Sequence, residues 1–302
     1  VTVDDWPLGE RFPSTSGEVR WARLGPEAGA GPGGLRPVVL CHGTPFSSYV
    51  WRTVARALAR DRTVLVWDMP GYGRSEQAPG QDVSLAAQGR VLAELLAHWR
   101  LSGGPLAGPY AEPLVVAHDF GGATALRAHL LHGARYAALA LVDPVALAPW
   151  GSPFFRLVAE HAAVFEELPP ALHGALVREY VASASSAGLP AATLDRLVEP
   201  WLGARGQAAF YRQIAQADQR HTDEVQERYG EIAIPALVCW GADDTWIPAA
   251  KGRELASRVP GARLELIAGA GHLVQEDAPA QLTAVLLDFV REQDRRDEAG
   301  RD

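Results

Sequence analysis

A single lysine, Lys251, stands among the 28 basic residues of this 302-residue chain; the rest are arginines, and they are scattered. No basic stripe forms of the kind that a nucleic-acid backbone requires, so that class of partner is not expected. Thirty-six acidic residues leave a formal net charge of -8, which reads as solubility rather than as a partner's footprint. Cysteine is almost absent. Cys41 and Cys239 each sit inside an apolar, β-type run, which reads as two buried thiols and excludes a disulfide framework or zinc-ligand spacing. No apolar stretch reaches about 18 residues, so no membrane span is expected. Val1-Thr2-Val3-Asp4-Asp5 lacks the charged and apolar regions of a signal peptide. A reducing cytoplasm is the expected compartment, with no metal and no cofactor.

What is present is a large apolar share. Hydrophobic residues make up 48% and charged residues 21%, enough for one big core with an insertion. Short β-branched runs alternate with longer Ala/Leu/Arg segments. The runs are 37–41, 63–67, 114–117, 139–142, 236–240 and 264–267, and helical stretches such as 50–59, 85–99 and 123–132 lie between them. Strands alternating with helices predict a parallel sheet covered on both faces, an α/β fold. Residues 18–24 alternate apolar with polar and read as an antiparallel edge strand. Gly/Pro-rich loops are expected at 25–37 and 102–113, and a frayed charged tail at 292–302.

The alternation stops between Pro149 and Gln219, a segment rich in Ala, Leu and aromatic residues. It reads as a helical cap, 149–219, inserted into a core of 1–148 and 220–302. Most of its aromatics are expected to glue cap to core; Trp150, Phe154 and Phe155 are candidates for lining a substrate pocket. That pocket would take a small apolar or aromatic substrate plus water, and the composition leaves room for a homodimer.

The most informative stretch is His118-Asp119-Phe120-Gly121-Gly122, between the apolar run 113–117 and a helical segment. Small residues on either side of a central side chain let the backbone turn sharply from strand to helix and lift that side chain into a cleft. Here the lifted group is a carboxylate, which as a nucleophile forms an alkyl ester by displacement at carbon. Epoxides and alkyl halides suit it better than ordinary esters. The competing reading is an Asp that merely caps the helix.

The base candidate is His272, in the Gly-rich turn Gly269-Ala270-Gly271-His272 after the last strand run. There it would project over the carboxyl edge of the sheet, where ligands bind in open α/β folds. The acid expected to orient it is Asp243, after the run 236–240, with Asp244 read as a loop-capping residue and Asp143 as a rival. The order Asp119, Asp243, His272 is nucleophile, acid, histidine. Amides of Thr44, in His42-Gly43-Thr44-Pro45, and of Phe120 are the expected oxyanion donors. His42 reads as structural support, and the loop 68–75 as a tight scaffold turn, since it lacks a P-loop lysine.

With these motifs the chain resembles the α/β-hydrolase superfamily from about Val38 to Val290. In particular it resembles the Asp-nucleophile branch shared by epoxide hydrolases and haloalkane dehalogenases. His42 to Arg52 is similar to the corresponding dehalogenase loop, and His118 to Gly122 to the His-Asp-Trp-Gly-Gly elbow. The resemblance implies a covalent alkyl-enzyme ester. Where dehalogenases hold the halide with a Trp after the nucleophile and often an Asn in the earlier loop, this chain has Phe120 and Thr44, and Phe has no N–H to donate. The resemblance therefore points to an epoxide hydrolase, with Tyr211 of Phe210-Tyr211-Arg212 as the cap phenol that assists ring opening, and with Trp150 or Tyr180 as weaker matches for a second donor. A dehalogenase, an ester or lactone hydrolase, a lyase and a binding receptor are the alternatives.

Overall fold

A computed structural model describes residues 6, 8–26, 35–101, 104–107 and 111–299. Parts of the two Gly/Pro-rich loops, the first five residues and the last three lie outside the described residues.

Among the described residues eight strands form one sheet: β1 (Glu10–Ser14), β2 (Gly17–Leu24), β3 (Val38–Cys41), β4 (Val64–Asp68), β5 (Leu114–His118), β6 (Ala138–Val142), β7 (Ala236–Gly241) and β8 (Arg263–Ile267), in the order β1-β2-β4-β3-β5-β6-β7-β8. Pairing from β4 to β8 is parallel; β2 runs antiparallel to β4 as expected, but it is not the edge strand, because β1 pairs antiparallel on its outer side. β1 has no sequence signature of its own, because Pro13 interrupts it, a residue tolerated on an edge strand. Every residue of β3 to β7 is buried. That explains their continuous apolarity: each has a helix layer on both sides.

The covering helices are α1 (Arg52–Leu58), α2 (Leu85–Arg100) and α3 (Phe120–His132). Between β6 and β7 come α4 (Pro153–Glu166), α5 (Pro170–Ala182), α6 (Ala191–Val198), α7 (Gly203–Ala215) and α8 (Arg220–Gln226). After β7 come α9 (Ala249–Arg258), α10 (Val274–Asp277) and α11 (Pro279–Ala299). The helical segment therefore runs to Gln226. The expected frayed tail is instead helix to Ala299, held by ion pairs from Arg62 to Asp294 (2.8 Å) and from Arg36 to Asp297.

The chain leaves β3 towards β4 on one side and reaches β5 on the other. This reversal opens a crevice at the carboxyl ends of the strands. Register aligns those ends: Cys41 faces Ala117, His118 faces Val142, Val142 faces Cys239 and Gly241 faces Ile267. Residues just beyond five strands, namely Thr44, Asp119, Asp143, Asp244 and His272, are thereby delivered to one edge.

Candidate active site

Asp119 sits between β5 and α3 with φ 50° and ψ -119°, a left-handed backbone that costs a non-glycine residue energy. The turn is possible because its neighbours are small. A Cβ on Gly121 would lie 2.3 Å from the His42 carbonyl oxygen, and one on Gly43 would lie 2.4 Å from Asp119 Cβ. The Asp119 side chain makes no cap bond to α3. Its Oδ1 instead accepts the Thr44 amide at 2.7 Å. The helix-capping reading is therefore set aside. Phe120 opens α3, where backbone N–H groups have no partner within the helix.

His272 lies between two carboxylates. Its Nδ1 is 2.9 Å from Asp244 Oδ2, and its Nε2 is 3.4 Å from Asp119 Oδ2, a charged contact rather than a formed hydrogen bond. Burial alone would lower the imidazole pKa, but the charge and hydrogen bond of Asp244 and the nearby Asp119 carboxylate raise it to about 10. Burial pushes Asp244 up, yet the His272 charge and hydrogen bond, with the Ile247 and Trp246 amides, hold it below the usual carboxylate range.

The acid paired with His272 is thus Asp244, not the expected Asp243. β7 continues through Gly241, one residue past the apolar run, and the turn that follows bonds Asp244 N–H to Gly241 O and Asp243 N–H to Ala270 O. Asp243 is left pointing to solvent and Asp244 inward. A sequence signal exists. Asp244 Oδ1 accepts the amides of Trp246 (2.7 Å) and Ile247 (2.9 Å), the Asx-turn pattern of an Asp two and three residues before its donors.

Neighbouring histidines are neutral supports. His42 Nε2 accepts the Met69 amide at 2.9 Å while its Nδ1 faces the Gly43 carbonyl, and burial lowers its pKa. His118 is pushed down to about 4, by burial first and then by the His272 charge, and its Nε2 lies 3.0 Å from the His272 carbonyl.

Tyr211 is not at the carboxylate. Its hydroxyl is 2.9 Å from His173 Nδ1, and His173 Nε2 is 2.8 Å from the Trp201 carbonyl; with Nε2 as donor, Nδ1 accepts the phenol's proton. On α7 it is Gln213 that turns towards Thr44 and Tyr72. Gln213 Oε1 accepts Thr44 Oγ1 at 2.6 Å and the Tyr72 hydroxyl at 3.0 Å. Tyr211 packs instead against Phe165 and Phe210. The phenols that feel the charge of Asp119 are Tyr180 on α5 and Tyr72; in both, burial chiefly raises the pKa and Asp119 adds to it. Among the described residues the Tyr180 hydroxyl has no hydrogen-bond partner.

An aromatic wall runs from His272 to Phe120, the residue after the carboxylate. Trp246 stacks on His272 (centroids 4.9 Å apart) and Tyr180 stacks on Trp246 (4.6 Å). Phe155 meets Phe120 and Tyr180 edgewise or tilted, Phe154 packs on Tyr180, and Trp150 crosses Phe120 at 5.8 Å. The expected pocket residues Trp150, Phe154 and Phe155 are therefore gathered around Phe120 and Tyr180, whereas Trp201 and Phe210 are buried packing. The indole N–H groups of the wall are taken, Trp150 donating to Thr222 (2.7 Å) and Trp246 to Ser183 (3.1 Å), and that of the buried Trp201 donates to the Pro45 carbonyl (2.6 Å). Tyr72, Gln213 and Trp246 are site residues that sequence reasoning missed, and Asp244, read there as a loop cap, both caps the loop and holds His272.

Comparison with known proteins agrees with the fold. The family profile described as "alpha/beta hydrolase fold" matches residues 36–279. A crystal structure of an alpha/beta hydrolase fold protein from Burkholderia ambifaria is 45% identical with a TM-score of 0.84, covering 93% of this chain and 98% of that one. A dihydrolipoyllysine-residue acetyltransferase component of an acetoin cleaving system from Pseudomonas putida is 28% identical over 289 residues. The match takes in 90% of this chain but only 66% of the Pseudomonas protein. Haloalkane dehalogenase 2 of Mycobacterium bovis is 27% identical over 297 residues, 94% of this chain and 95% of its own.

Proposed function

Because this chain belongs to the α/β-hydrolase family, we propose that it is a hydrolase with an Asp119 nucleophile acting on a small apolar or aromatic epoxide. One observation carries the reading: a buried carboxylate occupies the elbow, with the Thr44 amide on one oxygen and His272 beside the other.

Asp119 attacks a ring carbon while Tyr180 donates to the departing ring oxygen. The proton is made good by His272, which the two carboxylates keep protonated. Alkylation neutralises Asp119, removing one of the charges that raise the His272 pKa, so the imidazole becomes a free base at the moment one is needed. His272, oriented by Asp244, then takes a proton from water that attacks the ester carbonyl. Thr44 and Phe120 amides hold the oxyanion. Collapse releases a diol and restores the Asp119 carboxylate and the His272 imidazolium. The segment from α4 to α8 acts as the cap, keeping bulk water off the ester.

The similarity to a haloalkane dehalogenase favours a second reading, halide displacement by the same carboxylate. The occupied indole donors and Phe120 disfavour it, since a departing halide needs N–H groups. The test is turnover of an epoxide, bromoalkane and ester panel with halide monitored, followed by a single turnover in heavy-oxygen water. Diol formation with label in the Asp119 carboxylate is expected. Halide release without epoxide turnover, or label only in product, overturns the epoxide reading or the covalent mechanism respectively.

A further inference from the structure

Behind Asp244 stands a third carboxylate. Asp143, at the end of β6, is fully buried with φ 42°, and one donor atom each of Asp143, Asp244 and His272 lies within 4.8 Å of the others. Asp143 Oδ1 accepts the Gly241 amide at 2.8 Å, while its Oδ2 is buried with no partner. Two buried carboxylates this close cannot both stay ionised beside one imidazolium without a large repulsive cost.

We infer that one proton resides on this pair, that it sits on Asp143 Oδ2, and that the resulting hydroxyl donates to Asp244. Asp143 is then a neutral positioning residue that holds the carboxylate orienting His272. The inference rests on the reading of Asp119, His272 and Asp244 as catalytic.

Donor count decides which member keeps the proton. Asp244 receives three N–H groups, from Trp246, Ile247 and His272; Asp143 receives one. N–H donors favour the ionised acid, so Asp244 is the carboxylate and Asp143 the acid. The groups facing Asp143 do not reverse this. They are Asp244 and His272 from the loops after β7 and β8, and the Cys239 thiol, whose pKa burial raises. Asp119 lies beyond His272 Nε2, and the neutral His118 ring is 4.9 Å from His272. Burial, then the Asp244 charge, raise the Asp143 pKa well above the usual carboxylate range. The proton also gives the orphaned Oδ2 its hydrogen bond.

The test compares Asp143→Asn and Asp143→Ala with the natural protein. Asn tolerates φ near 42° and keeps a neutral donor towards Asp244. An infrared difference spectrum of resting protein at neutral pH is expected to show a protonated carboxyl band that Asp143→Asn removes, with the His272 imidazole titration unmoved. Asp143→Ala is expected to lower kcat about tenfold with KM little changed, and Asp143→Asn to restore most of it. Absence of the band, or a His272 titration lowered by about one unit in Asp143→Asn, means Asp143 was ionised and overturns the inference. The band is read without substrate, so it decides the protonation of Asp143 even where a His272→Ala variant turns over normally and the catalytic reading fails.

Discussion

At the scale of single residues, the contrast between Tyr180 and Tyr211 separates chemistry from packing. Tyr180→Phe removes a phenol that feels the charge of Asp119 while leaving its stack on Trp246. The expected result is a loss of about tenfold or more in the alkylation step, at least about 1.4 kcal/mol, without loss of substrate binding. Tyr211→Phe removes a buried hydroxyl bonded to His173. It is expected to cost about 1 kcal/mol of stability and leave ring opening unchanged. Stopped-flow alkylation and thermal melts on both variants check the pair. Equal kinetic loss in both would return the acid role to α7.

Elements create the site by how they end. β5 passes into α3 within one residue, and the turn holds only because Gly121 and Gly43 allow the β3 loop to press against it. Gly121→Ala would place a methyl group against the backbone carbonyls of His42 and Cys41. Backbone cannot swing away as a side-chain tip can, so a stability loss of about 1–3 kcal/mol is expected, together with loss of activity as Asp119 leaves the Thr44 amide. Denaturant melts and turnover of this variant check both; unchanged values would mean the elbow is not under this constraint. The helical segment is tied down around the same crevice by Trp201 to the Pro45 carbonyl, by Gln213 to Thr44 and Tyr72, and by the Leu273 amide to the Ala184 carbonyl at 2.9 Å. These bonds join it to the β3 loop, the β4 loop and the β8 loop, so it holds the aromatic wall at a fixed height over Asp119.

For the whole molecule, burial of unlike histidines sets the pH range of stability. The His272 pKa is raised from an ordinary 6.5 to about 10. Its contribution is therefore fully present below about pH 6.5 and is lost as pH rises through about 10. His118 has the opposite sign. Its pKa is lowered to about 4, so its contribution is present above about 6.5 and is lost as pH falls through about 4. A thermal midpoint that is highest near neutrality and declines on both flanks is expected from calorimetry across this range. In His272→Gln the alkaline decline should flatten. A natural-like alkaline flank in that variant would assign the flank to another group.

Much of this protein is legible in its sequence, for a local reason. Strand and helix period, the small residues around Asp119 and the Gly-rich turn before His272 are properties of neighbours along the chain, and they placed the parallel sheet, the elbow and the histidine. Direction through space was not legible. Asp243 and Asp244 differ by one residue, and only the turn after β7, set by its bond to Gly241 and its packing beside the β8 loop, sends one to solvent and the other to His272. Tyr211 and Gln213 share a helix, and the docking of α7 decides which faces Thr44. Tyr180 lies 31 positions earlier by the numbering of the sequence, on a different helix, yet stacks over the same imidazole through Trp246. Asp143 meets Asp244 only because β6 and β7 pair in register. Local sequence specifies which groups stand at the sheet's edge; the phase of each helix and the pairing of each strand decide which of them touch.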